Sequence, residues 1–485
     1  MIQRAFDAVV IGSGISGLTA ACYLARGRKR VLLLESRNVI GGRCENVALG
    51  EGFTAPVAVH EMHALDPRIV KDLKLARHGL KFTARDMPLV GLGHGGRHAV
   101  IVRDVQDTVR NIAALSKADA EAWPRFHAEL FAMARELRPL WWESTGQRPA
   151  VRRAELFARL QRVSAGAWLD SWFESDVLKA TLAFDASVGA CSPFEPGSAL
   201  LLVWRMAQEM SGLQGATAWP QGGPAAVMNA LADAARALGV EIQTGAAVTR
   251  IVLQDECAAG VELASGAVIA APLVLSSLSR RATLSRLAPP GAAGFDTLSS
   301  LPREGVTGEA RILLALRTLP AFNGMAVPGM ARFVIAEKLE SYMVVRSAAE
   351  AGRLPGELTL EFVVPTEAEP AFAPLGQHVV SIAVRPVPAA MSDAMKAKLT
   401  AMAAAALDAH ASGLAKAIAA VQVLSPADIA ARYGGSDTSM DLLSNWNERL
   451  MTTIPGLYLC GAEPVPAPSG RAGRIAAALA LGAGK

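Results

Sequence analysis

A glycine-rich turn near the N-terminus constrains the fold of this chain more than any other sequence feature. The turn, Gly12-Ser13-Gly14-Ile15-Ser16-Gly17, follows the apolar run 6–11 and precedes a stretch with the apolar period of a helix. The first run predicts a buried parallel strand, and a second apolar run, residues 31–34, ends at Glu35. Strand, tight turn, helix and strand in this order predict the first unit of a doubly wound α/β fold.

The three glycines of the turn suit a dinucleotide. Gly12 permits a sharp turn, Gly14 lets a pyrophosphate approach the backbone, and Gly17 lets the helix pack closely against the strand. The N-terminus of the helix offers free N–H groups and a partial positive charge to the same pyrophosphate. We therefore predict cofactor contacts from the whole turn, which also includes Ser13, Ile15 and Ser16.

The acidic end of the second strand narrows the choice of dinucleotide. Glu35 lies 18 residues past Gly17, where a carboxylate accepts hydrogen bonds from ribose hydroxyl groups. The same charge repels a 2′-phosphate, so NADP is disfavoured. Ser36 completes the predicted contacts at this strand end, and the choice between NAD and FAD stays open on this motif alone.

A second glycine pair distinguishes the two remaining cofactors. Gly41, Gly42 and Arg43 follow Glu35 by six to eight residues. With this spacing the chain resembles the FAD-dependent amine oxidase and phytoene desaturase superfamily, and residues 72–80 and 364–378 resemble its phytoene-dehydrogenase-like branch. The resemblance implies FAD, with the backbone at Gly41 and Gly42 close to the cofactor and Arg43 near its pyrophosphate and flavin.

The C-terminal stretch extends the resemblance. In the superfamily the strand equivalent to 454–463 passes the ribityl phosphate, and the next helix points its N-terminus at the pyrimidine edge of the flavin, where it stabilises negative charge. The strand that contains Val248 is expected to meet the adenine. The further contacts implied are those of Gly461, Ala462, Glu463, Gly473, Arg474 and Ile475. The chain departs from the family pattern at 466–468, which is Pro-Ala-Pro instead of Pro-Gly-Gly.

The resemblance covers nearly the whole chain and implies its domain organisation. The expected fold class is α/β, a Rossmann-like FAD-binding domain with a doubly wound parallel sheet and a discontinuous α+β substrate domain. The FAD-binding domain would consist of residues 1–85, 219–290 and 431–485. A helical cap, 86–218, and a second substrate segment, 291–430, would interrupt it.

Composition and charge exclude other classes of protein. The 485 residues are 51% hydrophobic and 19% charged, which excludes a disordered chain and allows two or three domains. The net charge is only +4, and no basic run contains interleaved aromatic residues, so nucleic acid binding is not expected.

The cysteines, the apolar runs and the N-terminal strand indicate a cellular location. The five cysteines form no C-x-x-C pair and no metal-ligand spacing, so we predict no metal site and a reducing cytoplasm. No stretch of eighteen apolar residues exists, and the first strand begins too early for a signal peptide. The expected location is therefore cytoplasmic.

Five of the eight tryptophans lie in a helical stretch between residues 104 and 174. One interpretation is a cap over an apolar substrate tunnel that also touches a membrane surface. The other is a core helix bundle or a homodimer contact. The sequence leaves both interpretations open.

Two residues are candidates for catalysis. Residues 52–59 have no charged side chain, and His60 follows them. We expect this run to lie beside the flavin. Arg311 is placed by the resemblance on the strand where amine oxidases often carry a flavin-linked Lys. An Arg cannot release its proton, but it can hold a flavin anion or a substrate carboxylate.

The predicted function is flavin redox chemistry on an apolar small molecule. Because no compelling general base is visible, we favour desaturation or saturation of a polyene, isoprenoid or other lipid-like substrate, with hydride moving between carbon and flavin N5. An amine or amino-acid oxidase is an alternative, against which the presence of only four tyrosines argues weakly. A redox-neutral flavin isomerase and a non-catalytic, FAD-stabilised binding protein also stay open.

Overall fold

The computed structural model describes residues 2–3, 6–143, 150–188, 191–301, 305–325, 329–434, 446–463, 465 and 467–482. A five-stranded parallel sheet lies at its centre. Its strands, in spatial order, are Glu241–Gln243, Val31–Leu34, Ala8–Ile11, Leu273–Ser276 and Leu457–Leu459. Both the second and the third of these strands are buried at all four positions, as expected for a parallel sheet that is covered on both faces.

The two faces of the parallel sheet have different covers. Helices Ile15–Arg26, Pro224–Ala237 and Arg471–Ala480 pack against one face. A four-stranded sheet packs against the other, in the order Ile2–Gln3, Val268–Ala270, Cys257–Leu263 and Val248–Gln254. The predicted α/β fold class is confirmed, with a small sheet instead of helices on the second face.

A seven-stranded mixed sheet forms the second large sheet of the structure. In spatial order its strands are Ile418–Leu424, Thr307–Leu316, His378–Pro388, Leu360–Val363, Arg332–Ile335, Leu89–Gly91 and Ala99–Ile101. Successive side chains of a strand point to opposite faces of the sheet. One face of the mixed sheet is apolar and packs against helix Asp393–Asp408. The register places Arg311, Ala383 and Glu361 side by side on the other face.

The helices between residues 105 and 207 pack into one apolar cluster. Trp123, Trp141, Trp142 and Trp204 are buried in it. The predicted helical stretch 104–174 is confirmed. Strands Leu89–Gly91 and Ala99–Ile101, at the start of the predicted cap segment, were not expected, because three residues are too short to show alternation. The helices of the segment predicted as a cap, called the cap helices below, are Val105–Ala113, Lys117–Trp142, Val151–Leu160, Ala165–Asp170, Asp176–Phe184 and Ala199–Ala207.

Shorter elements connect these layers. Three two-stranded sheets pair Asn46–Ala48 with Thr54–Pro56, Phe82–Ala84 with Trp219–Pro220, and Glu209–Met210 with Leu213–Gln214. The remaining α-helices are Pro67–Asp72, Arg280–Ala282, Phe295–Ser299, Ser341–Glu350, Leu414–Ala417, Pro426–Tyr433 and Trp446–Leu450, and a π-helical turn spans Thr283–Leu287. Single 3₁₀ turns span Gly42–Cys44, Leu75–His78, His94–Gly96, Pro365–Glu367 and Pro370–Phe372. Within the described residues, no helix combines the length and the apolar character needed to cross a bilayer. The predicted domain boundaries stay a prediction.

Asp119 ties two cap helices together and gives a test of the fold. Its buried carboxylate accepts hydrogen bonds from the backbone N–H groups of Glu174, at 2.7 Å, and Ser175, at 2.9 Å. Asp119→Ala should leave both donors unsatisfied and lower the free energy of unfolding by about 1–3 kcal/mol for each donor. The midpoint of thermal unfolding measures the loss. Asp107→Ala, at an exposed ion pair, is the control and should change it little.

Candidate functional site

Of the three glycines in the first turn, one has open space for a ligand beside it. Gly12 has a φ of +91°, and a Cβ atom there would lie 2.3 Å from the Ser277 hydroxyl oxygen. A Cβ on Gly17 would lie 2.0 Å from the Gly12 carbonyl oxygen. A Cβ on Gly14 would meet no atom within 4 Å. Packing therefore requires the outer glycines, and the space beside Gly14 fits the pyrophosphate of a dinucleotide.

Glu35 is fixed at the end of its strand. One carboxylate oxygen, Oε2, accepts hydrogen bonds from the Ser13 backbone N–H, at 3.0 Å, and the Ser13 hydroxyl, at 2.6 Å. The Ser36 hydroxyl donates to Oε1 at 3.3 Å. The Ala246 N–H donates to the Glu35 carbonyl oxygen at 2.8 Å, which brings the start of the Val248 strand to the same edge. The carboxylate thus connects the turn with the edge where ribose is expected.

The second glycine pair lies directly on the first turn. Gly41 and Gly42 have φ values of +124° and +54°, and a Cβ on Gly42 would lie 3.1 Å from the Gly14 Cα. The Gly41 N–H donates to the Ser13 carbonyl oxygen at 3.3 Å. Arg43 follows, and burial lowers the pKa of its guanidinium group. Both turns therefore form one continuous cradle.

The C-terminal candidates have protein partners. A Cβ on Gly461 would lie 2.2 Å from the Ser277 carbonyl oxygen, and one on Gly473 would lie 2.0 Å from the Ser16 carbonyl oxygen. Glu463 accepts from the Ser469 hydroxyl at 2.6 Å and the Ala472 N–H at 2.9 Å, and burial raises its pKa. The neighbouring candidates Ala462 and Ile475 are buried, and Arg474 donates to Asp66 at 3.1 Å. Their contacts with a cofactor stay predictions, and Pro464 and Pro466 lie outside the described residues.

Arg311 lies on the charged face of the mixed sheet and is only 7% exposed. Its Nη2 contacts Glu309 Oε1 at 2.6 Å. Its Nε and Nη1 are buried and have no hydrogen-bond acceptor among the described residues. The other Glu309 oxygen accepts from Arg385 Nη1 at 2.8 Å. This guanidinium group therefore has two donor nitrogens to offer to a molecule that enters the site.

His60 is buried next to this face, where both of its ring nitrogens are engaged. Nε2 lies 3.1 Å from Glu361 Oε1, and Nδ1 lies 3.2 Å from the Ser381 hydroxyl oxygen. Burial and the positive charge of Arg311 lower the pKa of His60. Because Glu361 is held ionised by Arg332, Nε2 donates to it, and Nδ1 also lies 3.1 Å from the Ser381 carbonyl oxygen. We therefore assign His60 the geometry of a fixed, neutral residue, and its predicted catalytic role stays untested.

A chain of buried ion pairs continues from Glu361. Arg332 donates from Nε to Glu361 at 2.8 Å and from Nη2 to Asp185 at 2.7 Å. Burial alone raises the pKa of Asp185, but Arg332 and Arg205 together lower it to about 2. The sequence analysis missed these residues, because the paired groups are 29 and 147 positions apart and none of them belongs to a motif.

Glu61 and His63 form a second acid–base pair that the sequence analysis did not select. His63 Nδ1 lies 3.1 Å from both Glu61 oxygens. Despite burial, His63, Arg332 and Arg205 hold the pKa of Glu61 well below its usual range, so the carboxylate is ionised and Nδ1 donates to it. The His63 ring meets Trp204 of the cap edge-on, with 6.1 Å between ring centroids. Once the His63 ring is neutral, Nε2 is its acceptor nitrogen, and the ring lies beside Trp204.

Known proteins resemble this chain over most of its length. The family model described as flavin containing amine oxidoreductase matches residues 15–294. Pyridine nucleotide-disulfide oxidoreductase domain-containing protein 2 of Rattus norvegicus is 30% identical over 98% of this chain and 93% of its own. Hydroxyneurosporene desaturase of Cereibacter sphaeroides is 30% identical over 54% of each chain. The solved structure of putrescine oxidase bound to putrescine has the same fold, with a TM-score of 0.66 at 16% identity over 99% of both chains.

Gly14 gives a test of the cofactor cradle. Gly14→Val places its side chain where a Cβ atom meets no protein atom within 4 Å, so the chain should fold and lose its FAD. We expect the flavin absorbance per protein to fall at least roughly tenfold. Gly356→Ala is the matched control, because its Cβ also meets no atom but lies outside the cradle. Undiminished FAD content in Gly14→Val would contradict the placement.

Proposed function

Because the chain belongs to the flavin-containing amine oxidoreductase family and is therefore an FAD-dependent oxidoreductase, we propose that it desaturates or saturates an apolar, lipid-like small molecule. When bound, FAD accepts or supplies the hydride at the ring of its flavin. The relative from Cereibacter sphaeroides, a desaturase by name, supports this class of reaction.

The observation that carries the proposal is the position of His63 at the edge of the cap. Its Nδ1 is held by ionised Glu61, and its ring abuts Trp204 of the buried aromatic cluster. A desaturation removes a hydride and a proton from adjacent carbon atoms and leaves a C=C bond. His63 Nε2 takes the proton in this direction and returns it in saturation. An apolar wall beside a proton acceptor suits a lipid-like substrate whose proton becomes acidic as the adjacent hydride leaves.

The chain's own groups hold the cofactor and exclude water. The open space at Gly14 would take the pyrophosphate, Glu35 the ribose, and Arg43 the region between pyrophosphate and flavin. The cap helices would cover the substrate and keep the proton acceptor out of bulk water. We also propose the five-segment domain division given above, with the parallel sheet inside the cofactor domain.

We further propose that the enzyme works in a reducing compartment, the cytoplasm. All five cysteines are free thiols, and burial raises the pKa of Cys44 and Cys460 to about 12, so both thiols are unreactive. Peripheral membrane contact and a homodimer are further expectations that light scattering and vesicle sedimentation would test.

His63 gives a kinetic test of the proposal. His63→Gln keeps a hydrogen bond to Glu61 but cannot take a proton, so the rate at which substrate bleaches the flavin should fall by about 10²- to 10⁴-fold. Stopped-flow absorbance under anaerobic conditions measures this rate. His94→Gln, at a histidine that is 77% exposed, is the control and should not alter it. An unchanged rate in His63→Gln would remove the proposed proton acceptor.

The substrate class is tested by the flavin spectrum of the purified protein. Under anaerobic conditions, a polyene or unsaturated lipid should bleach the flavin band, or should reoxidise it after chemical reduction. Amines and amino acids, tested side by side, should leave the band unchanged. Bleaching by an amine alone would favour the amine oxidase alternative, and a flavin that no compound changes would favour an isomerase or a binding protein.

A further inference from the structure

We propose that the substrate of this site carries a carboxylate, and that Arg311 binds it. The inference rests on the proposed function and narrows its substrate class from apolar molecules to apolar carboxylic acids. Among the described residues, the unsatisfied donors and the charge balance around Arg311 both support an anionic group.

Two donor nitrogens of Arg311 lack an acceptor among the described residues. Arg311 is 7% exposed, and its Nε and Nη1 have no acceptor among the described residues. Buried N–H groups, above all charged ones, are nearly always hydrogen-bonded in folded proteins, because an unmade bond costs the full desolvation of the group. Ala383 beside Arg311 and Leu313 on the same strand face are buried and apolar, and the buried Oε1 of Gln422, opposite Leu313, makes no hydrogen bond to Arg311 among the described residues.

The local charge is unbalanced toward positive. Glu309 is shared by Arg311, at 2.6 Å, and Arg385, at 2.8 Å, and Arg43 lies close enough to both Glu309 and Arg311 for its pKa to respond to each. One carboxylate thus has two guanidinium groups at hydrogen-bond distance, and Arg43, which the proposed function assigns to the cofactor, acts on it only at longer range. The nearby carboxylate Glu361 is already paired with Arg332, and burial holds His60 neutral. A buried positive excess favours an anion.

A substrate carboxylate satisfies both requirements together. The oxidised flavin ring has acceptor atoms but no charge, so it would fill the N–H positions and leave the positive excess. A carboxylate supplies oxygen acceptors and a negative charge in one small group, and Arg is the side chain best suited to hold it. The apolar body of such a substrate would extend toward Trp204 and the cap cluster.

Calorimetric titration of the oxidised holoenzyme tests the inference with a matched pair of probes. Sodium decanoate and methyl decanoate share the apolar chain, and only the first has a charge. We expect decanoate to bind about 10- to 100-fold more tightly than the ester, the range of a few charge-assisted hydrogen bonds. Arg311→Met should bring this ratio close to one, and Arg311→Lys should lower it at least threefold. Arg317→Met, at an exposed arginine just beyond the same strand, should leave it unchanged.

The other outcomes overturn the inference. Equal affinity for acid and ester, or no binding of either probe to the parent holoenzyme, contradicts it. A retained acid preference in Arg311→Met with an altered flavin spectrum would assign the free N–H groups to the flavin instead. If Arg311→Met fails to fold, an unchanged ratio in Arg311→Lys decides against it. Binding is measured without turnover, so decanoate selectivity in a protein whose flavin no substrate bleaches would refute the proposed function alone.

Discussion

Close contact between backbones at glycine is the constraint on which this structure depends. Helix Ile15–Arg26 packs closely against the end of strand Ala8–Ile11 at Gly17 and against helix Arg471–Ala480 at Gly473. At both glycines a Cβ would lie 2.0 Å from a carbonyl oxygen. These two contacts fix the helix between the first strand and the C-terminal segment. Its N-terminus is thereby held against the cradle formed by Gly14 and Gly42, so the tightness of the packing also builds the cofactor site.

The second feature is a charged sheet face inside the protein. Arg332, Glu361 and Asp185 are buried, and each has an oppositely charged partner in hydrogen-bond range. Breaking one such pair is expected to cost about 3–5 kcal/mol, because it leaves an uncompensated buried charge. Such a face adds little stability by itself, and its retention next to the cofactor cradle is better explained by chemistry than by folding. Arg311, two of whose nitrogens have no acceptor among the described residues, is a member of this face that could bind a ligand.

Much of the fold could be predicted from the sequence because its signals are local. The strand Val31–Leu34 coincides with its apolar run, and the helix Ile15–Arg26 follows the glycine turn as predicted. The short strands Leu89–Gly91 and Arg332–Ile335 were not predicted, since three or four residues carry too little periodicity. They form because neighbouring strands of the mixed sheet satisfy their backbone groups, which is a tertiary effect.

The sequence by itself determined the dinucleotide cradle, and its resemblance to a known superfamily indicated FAD. Gly12, Gly14, Gly17 and Glu35 act through backbone conformation and strand order within thirty residues, and these are properties of a local stretch. Only the tertiary structure decided the substrate side. It joined His60 to Glu361 across 301 positions and set His63 against Trp204. It also left two nitrogens of Arg311, Nε and Nη1, without an acceptor in the part of the chain that the structure describes. Hydrogen-bond satisfaction and charge balance depend on which distant groups share a buried volume, and a linear pattern does not contain that information.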